Sequence, residues 1–166
     1  PINSIDFGYA PYALKKIDEM RYEILKSKDE NFLIGTVCCM PRDVVDELIE
    51  IRFSGFKPLY APALATPFNI PLLIYLGVDV VDNILPIIRG YQGIYMLPDA
   101  EFEVGSLKEL PCNCPICSEY GIKLKELEAD ERGLALARHN TTVMESQIRL
   151  VRELIRHEEL RNFVEM

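Results

Sequence analysis

The segment PCNCPIC at 111–117, followed by ARHN at 137–140, is the stretch that decides how this chain folds. It places three cysteines within six residues, and a histidine follows 22 residues after the last of them. The candidate ligands are Cys112, Cys114, Cys117 and His139. Three thiols and one imidazole form a complete tetrahedral ligand set for zinc. Because such a shell leaves no position open for water, the sequence predicts a structural zinc site and places the chemistry elsewhere.

Two other uses of the cysteines stay open. A disulfide framework is typical of small secreted domains with an even number of cysteines. This chain has five and shows no secretory segment. An iron–sulfur site with three cysteine ligands would leave His139 without a role.

Size and composition narrow the class of protein. The chain has 166 residues, of which 49% are hydrophobic, enough for one domain with a small appendage. Its longest apolar-rich stretch, 70–81, is interrupted by Pro71, Gly77 and Asp79, so no membrane span is predicted. Free thiols and the lack of a signal sequence indicate a reducing cytoplasm. The net charge of −8 argues mildly against a nucleic-acid partner, although the distribution of charge matters more than its sum.

Hydrophobic periodicity and turn residues predict alternating helices and strands. The predicted helices are 11–28, 41–54 and 66–77, and the predicted strands are 32–39, 57–61 and 78–81. This alternation is typical of parallel strands joined by crossover helices. The scattered glycines and aromatic residues of 90–110 predict hairpins or irregular structure. The capping box Thr142 to Glu145 predicts a final helix at 142–157, and residues 158–166 either continue it or add a short turn.

Three parts of the chain resemble the tRNA-guanine transglycosylase family. The cysteine–histidine set resembles the zinc site of that family, also in lying between an α/β region and a last helix. YAPALATPFNIPLLIYLGVDVVDN at 60–83 is similar to the end of the barrel in archaeal members, and looks closest to the archaeosine synthases. FLIGTVCCMPRDVVDELIEIR at 32–52 resembles the preceding barrel strand and helix. The resemblance covers roughly residues 30 to 160.

The resemblance implies a (β/α)₈ barrel with an inserted zinc subdomain, acting on the D-loop of tRNA. Residues 1–110 are then the barrel-like region, and 111–166 the zinc-binding subdomain and C-terminal helix. In the transglycosylases an aspartate attacks the ribose C1′ and expels guanine, which a deazapurine replaces. In the archaeosine synthases the nitrile of the inserted base adds an amine donor.

The same resemblance assigns residues to the catalytic site. The second aspartate of GVDVVD, Asp82, matches the transglycosylase nucleophile, and a carboxylate is a reasonable nucleophile at a sugar carbon. Asp82 is equally suited to capping a turn before Asn83. Gly35 matches the first glycine of a Gly-Gly strand end that approaches the base. Thr36 replaces the second glycine, as expected of a paralogue with a changed base pocket.

The length of the chain predicts a partner. A whole barrel needs about 250 residues, and the early aspartate of the transglycosylases has no counterpart here. The chain is therefore expected to be a fragment, a part of a split enzyme or a shortened relative. Its unpaired strand edges predict association with a second copy or with a complementary chain.

Other polar residues each allow a functional and a structural interpretation. Either Cys38 or Cys39 is a thiol for addition to a nitrile, or both are core residues. Arg149, Arg152 and Arg156 suit either phosphate contacts or a salt-bridged helix surface, and His157 suits a solvated helix end. Further candidates for tRNA contact are Lys108, Lys123, Lys125, Arg132 and Arg138.

Two functions follow: a tRNA base-modifying enzyme, or a non-catalytic zinc-stabilised module for tRNA docking or dimerisation.

Overall fold

A computed structural model describes residues 3–5, 45, 46, 48, 49, 53, 60, 61 and 63–166. The helix predicted at 11–28 and the strand predicted at 32–39 lie outside these residues, and so do Gly35, Thr36, Cys38 and Cys39. The described residues between 45 and 53 are helical, as the sequence predicts for the segment that begins at Pro41.

The described strands of the first half form a parallel sheet. Strand β3 (Val80–Asp82) lies in the centre, between β1 (Asn3–Ile5) and β2 (Tyr60–Ala61), and both neighbours run parallel to it. Helix α1 (Ile70–Tyr75) connects β2 to β3. This arrangement confirms the α/β class and the parallel pairing of the strands predicted near 57–61 and 78–81. The eight-stranded barrel stays a prediction.

Local hydrogen bonds fix both ends of α1. The Thr66 hydroxyl accepts from the Asn69 N–H at 3.2 Å, and the Asn69 side chain accepts from the Thr66 N–H at 2.7 Å. This reciprocal pair has the geometry of a capping box, but α1 begins at Ile70 with Asn69 as its N-cap, so the predicted N-cap Thr66 lies three residues too early. Gly77 has a φ of +97° and ends the helix, because glycine takes a left-handed conformation at little cost.

A helix that the periodicity does not predict follows β3. Helix α2 spans Ile84–Tyr91, and a β-hairpin follows it, with β4 (Ile94–Met96) antiparallel to β5 (Glu101–Glu103). The hairpin agrees with the prediction for 90–110.

The C-terminal helix is longer than predicted. Helix α4 runs over Ala129–Arg156, after the short helix α3 (Pro115–Tyr120) and a 3₁₀ segment at Gly121–Glu126. The prediction that a capping box at Thr142 starts the helix is therefore wrong. Thr142 lies within α4, and its hydroxyl donates to the Arg138 carbonyl at 2.8 Å. A threonine hydroxyl bonds back to the preceding turn in this way inside a helix.

The end of the chain forms a short added helix. Glu158 has a φ of +60°, which ends α4, and helix α5 covers Leu160–Glu165. The Tyr75 hydroxyl donates to the Glu165 carboxylate at 3.0 Å, so α5 packs back on α1.

Helix α4 joins two hydrophobic clusters. Its C-terminal half contributes Met144, Ile148 and Val151 to the first cluster, which also contains residues of α1 and the parallel sheet. Its N-terminal half contributes Ala135 and Leu136 to the second cluster, which contains residues of the hairpin, α3 and the 3₁₀ segment. The path of α4 couples the packing of one cluster to the other. Among the described helices, none has the length and apolarity needed to cross a bilayer.

Candidate metal centre

The three cysteines lie on a turn that leads into α3. Cys114 is the N-cap of this helix, and its Sγ accepts from the Cys117 N–H at 3.5 Å. The Cys112 Sγ accepts from the Cys114 N–H at 3.4 Å. Pro115 suits the first turn of a helix, where its missing N–H is not needed. The local sequence therefore folds all three sulfurs toward one point, with backbone N–H groups that favour thiolates.

His139 reaches the same point from the middle of α4. Its Nδ1 lies 3.3 Å from the Cys114 Sγ and 3.4 Å from the Cys117 Sγ. The ligand atoms of Cys112, Cys114, Cys117 and His139 all lie within 4.8 Å of one another. The three cysteines are free thiols in this structure, with no disulfide among them. The structure thus brings together the four residues that the sequence predicts as ligands.

The spacing of these atoms fits a tetrahedral ion. Zinc–sulfur bonds of about 2.3 Å and zinc–nitrogen bonds of about 2.0 Å place neighbouring ligand atoms about 3.5–3.8 Å apart. The two sulfur–nitrogen distances, 3.3 and 3.4 Å, are close to this value. The widest separation among the four ligand atoms, up to 4.8 Å, exceeds this value by about 1 Å, so an ion would draw the four side chains closer together.

Two contacts orient the His139 ring. Its Nε2 lies 3.0 Å from the Met96 carbonyl oxygen, to which it donates, so that Nδ1 keeps its lone pair for a metal. The Tyr95 ring stacks on the imidazole, with centroids 3.9 Å apart and an angle of 15° between the planes. The Tyr95 hydroxyl lies 3.2 Å from the Cys117 Sγ. Strand β4 therefore contacts one nitrogen and one sulfur ligand.

Burial shifts the pKa values of three of the four candidate ligands. It lowers the pKa of His139 to about 4, which keeps the imidazole neutral at pH 7. Burial also raises the pKa of Cys112, and it raises the pKa of Cys117 to about 12. Neutral thiols this close together are poor metal ligands until a cation stabilises their deprotonated form, so metal binding must release protons.

Asn140, which the sequence does not single out, ties α4 to its neighbours. Its Oδ1 accepts from the Met96 N–H at 3.0 Å, and its Nδ2 donates to the Pro86 and Ile94 carbonyl oxygens, each at 3.0 Å. The residue is fully buried. Because His139 and Asn140 bind the two backbone groups of Met96, they fix strand β4 against the metal centre.

We expect Tyr95→Phe to weaken metal binding about tenfold, because it removes the hydroxyl near Cys117 and keeps the ring on His139. Competition between the protein and a fluorescent chelator for Zn²⁺ measures this change. Tyr91→Phe is the matched control, since the Tyr91 side chain is exposed. Equal Zn²⁺ affinities of the two variants would show that the hydroxyl does not support the site.

Asp82 lies at the end of β3 and is fully buried. Its Oδ2 accepts from the Ala63 N–H at 2.8 Å, and its Oδ1 accepts from the Ile84 N–H at 3.1 Å. The carboxylate thus joins the end of β3 to the loop after β2 and to the start of α2. The carboxyl ends of parallel strands are where active sites of α/β folds form. Its predicted convergence with Gly35 and Thr36 involves residues outside the described ranges and stays a prediction.

The arginines at the end of α4 have different surroundings. Arg156 forms an ion pair with Glu153, and the His157 Nε2 lies 3.9 Å from the same carboxylate. Arg152 also has a partner. Arg149 makes no ion pair with any residue that the structure describes. Ion pairs therefore account for part of the group of arginines at the end of α4, and Arg149 is not part of these ion pairs within the described residues.

The fold and the site define a mixed α/β protein with a Cys₃His centre suited to a metal ion. The family model described as queuine tRNA-ribosyltransferase matches residues 18–166, and the chain belongs to this family.

Three curated relatives show the range of similarity. The chain is 36% identical over 134 residues to archaeosine synthase subunit alpha of Methanosarcina acetivorans, which covers 79% of this chain and 21% of the relative. It is 36% identical over 122 residues to archaeosine synthase of Haloferax volcanii, covering 72% and 20%. It is 28% identical over 162 residues to tRNA-guanine(15) transglycosylase of Thermococcus onnurineus, covering 93% and 27%. The chain therefore spans between a fifth and about a quarter of the length of these relatives.

Proposed function

We propose that this chain is part of an enzyme that modifies a tRNA base in the archaeosine pathway, as an archaeosine synthase-like or transglycosylase-like transferase. The observation that carries the proposal is the family match over residues 18–166 together with the Cys₃His centre. The substrate of the proposal is tRNA, with the deazapurine base of its D-loop as the reacting group.

The metal of the proposal is zinc, in a structural role. Three thiolates and one imidazole are the ligand set that zinc prefers, and four protein ligands leave no position for substrate. Cys117 and His139 are buried, which suits an ion that holds the hairpin, α3 and α4 together. When bound, the ion supplies folding energy and takes no part in the reaction.

Asp82 is the proposed nucleophile, and Gly35 and Thr36 are the proposed base contacts. Support for Asp82 comes from its place at the end of the central parallel strand. Its two backbone hydrogen bonds also suit a residue that only holds the loop after β2. These bonds favour the second candidate function, a non-catalytic zinc-stabilised module that docks tRNA or forms a dimer.

Further parts of the proposal concern organisation. The barrel-like region covers 1–110, and the zinc-binding subdomain with the C-terminal helix covers 111–166. The chain acts in the cytoplasm, where thiols stay reduced. It works with a second copy or with a complementary chain that supplies the rest of the barrel, since a complete barrel needs about 250 residues.

We expect Asp82→Asn to abolish a covalent protein–tRNA adduct, because an amide is a poor nucleophile at C1′. The chain is purified with any partner from a native extract, incubated with tRNA, and resolved on a denaturing gel. Asp79→Asn is the matched control, and circular dichroism checks that both variants fold. An adduct that persists in Asp82→Asn excludes this residue as the nucleophile. Wild-type protein that binds tRNA but forms neither adduct nor modified base supports the docking module.

A further inference from the structure

A groove of about 450 Å³ lies between the cysteine turn and α4. Its volume falls in the range of about 300–1,000 Å³ that is common for ligand pockets. The turn side includes Pro111, Asn113 and Pro115, and the hairpin loop adds Leu97 and Pro98. The groove lies beside the metal ligands Cys112 and Cys114, which also line it. The metal centre therefore shapes one of its walls.

Helix α4 provides the opposite wall in two rows. Thr142, Ser146 and Arg149 follow one another at helical spacing of four and three residues and form the outer row. Val143 and Gln147, four residues apart, form the inner and more buried row. The wall thus has an apolar residue and an amide at its base, and a cation at one end.

Gln147 indicates that the groove takes a polar ligand. The residue is only 9% exposed and lines the groove, yet its side chain makes no hydrogen bond with any described residue. Although the residue as a whole is buried, its amide atoms keep some solvent-accessible surface. The amide is therefore open to a group inside the groove that both donates and accepts.

Arg149 indicates that the ligand is anionic. It lies on the same wall, and it forms no ion pair within the part of the chain that the structure describes. The nearby carboxylate of Glu153 is already paired with Arg156 and His157. An unpaired guanidinium at the end of a groove is well suited to a phosphate, which it binds through two parallel hydrogen bonds.

The remaining lining is apolar. Leu97, Pro98, Pro111, Pro115 and Val143 offer hydrocarbon surface to a ligand between the two walls. A flat ring with a hydrogen-bonding edge uses all three features: apolar contact for its faces, the Gln147 amide for its edge, and Arg149 for an attached phosphate. An amide side chain pairs with base edges in this way in protein–nucleic acid complexes.

We propose that this groove binds a single unpaired nucleotide of the tRNA substrate, with its base on Gln147 and its phosphate on Arg149. The proposal rests on the proposed function, since it takes tRNA as the substrate. A metal ion held by three thiolates and one imidazole carries a net negative charge, so the phosphate lies toward Arg149 and the uncharged base lies toward the cysteines. Single-stranded nucleotides are the usual targets of such sites, because their bases are free to leave the stack.

Fluorescence anisotropy with labelled, unmodified tRNA tests the groove in the full zinc-loaded chain. We expect Arg149→Gln to weaken tRNA binding about tenfold and to lower the salt dependence by about one phosphate contact. Arg161→Gln is the control, because Arg161 is an exposed arginine of α5 that pairs with Glu165 and does not line the groove. Equal affinities of the two variants overturn the proposal and leave the proposed function intact. Wild-type protein that fails to bind tRNA overturns both.

A second measurement needs no variant. Addition of guanosine 5′-monophosphate to the ¹⁵N-labelled zinc-loaded chain is expected to shift the Gln147 side-chain amide and the backbone amides of 112–114 and 142–149. Shifts confined to other regions overturn the proposal. The same shifts produced by an acidic peptide, and not by the nucleotide, identify the groove as a peptide site and also overturn it.

Discussion

Removal of the metal ion with a chelator is expected to unfold the second hydrophobic cluster and the N-terminal half of α4. This cluster has few large buried side chains, chiefly Tyr95, Leu124 and Leu136. A core of this size contributes little stability by itself. Structural zinc sites contribute about 10–16 kcal/mol of apparent binding free energy at pH 7. A zinc ion in this centre is therefore expected to supply most of the free energy that holds the hairpin, α3 and α4 together.

Hydrogen exchange measured with and without chelator locates this unfolding. Amides of 94–139 are expected to lose protection, whereas α1 and β3 in the first cluster keep more of theirs. His139→Asn should reproduce the effect of the chelator, and His157→Asn should not, because His157 is exposed at the end of α4. Unchanged exchange in the metal-free protein would show that packing alone maintains the cluster.

Asn140→Ala is expected to lower the free energy of unfolding by about 3 kcal/mol or more. The substitution leaves the Met96 N–H and the Pro86 and Ile94 carbonyl groups without the partner that now binds them. Each buried polar group left unpaired costs about 1–3 kcal/mol. The loss is a large share of the about 5–15 kcal/mol that stabilises a typical domain.

Urea unfolding of the zinc-loaded protein measures this loss. Asn162→Ala is the matched control, since Asn162 is exposed on α5 and its amide donates to the carboxylate of the exposed Glu159. The control should change stability by less than about 0.5 kcal/mol. A similar small change in Asn140→Ala would show that water replaces the lost hydrogen bonds and that Asn140 is not the link between α4 and the hairpin.

The predicted metal ligands were found from sequence because their chemistry and spacing are local. Cys112, Cys114 and Cys117 lie on one turn, and few other functions need three thiols with one later histidine. The reciprocal bonds of Thr66 and Asn69 and the glycine at 77 are local in the same sense.

The start of α4 was predicted wrongly because long-range packing, and not the local sequence, sets it. Thr142 and Glu145 match a capping box, but Ala135 and Leu136 pack into the second cluster and extend the helix back to Ala129. A local cap signal carries about 1 kcal/mol, which the burial of a further helical face exceeds. Helix α2 was not predicted because its sequence contains Pro86, and a proline usually argues against a helix. Pro86 lies in the first turn of α2, however, where a helix tolerates proline.

Gly90 shows why tertiary contacts are hard to infer from sequence. A Cβ at this position would lie 2.3 Å from the Ala137 backbone nitrogen, so α2 and α4 touch backbone to backbone. Nothing in the segment around Gly90 distinguishes this contact from a turn glycine. The contact brings α2 close enough for Asn140 to reach the Pro86 carbonyl.

By itself, the sequence determined which four residues form the candidate metal centre, the parallel α/β character and the family resemblance, because these depend on residue type and short-range spacing. Only the tertiary structure showed that Met96 is held by His139 and Asn140, that Tyr95 contacts two of the candidate ligands, and that Gln147 lines a groove. These features join residues that are far apart along the chain, and their positions depend on how α4 packs against both hydrophobic clusters at once.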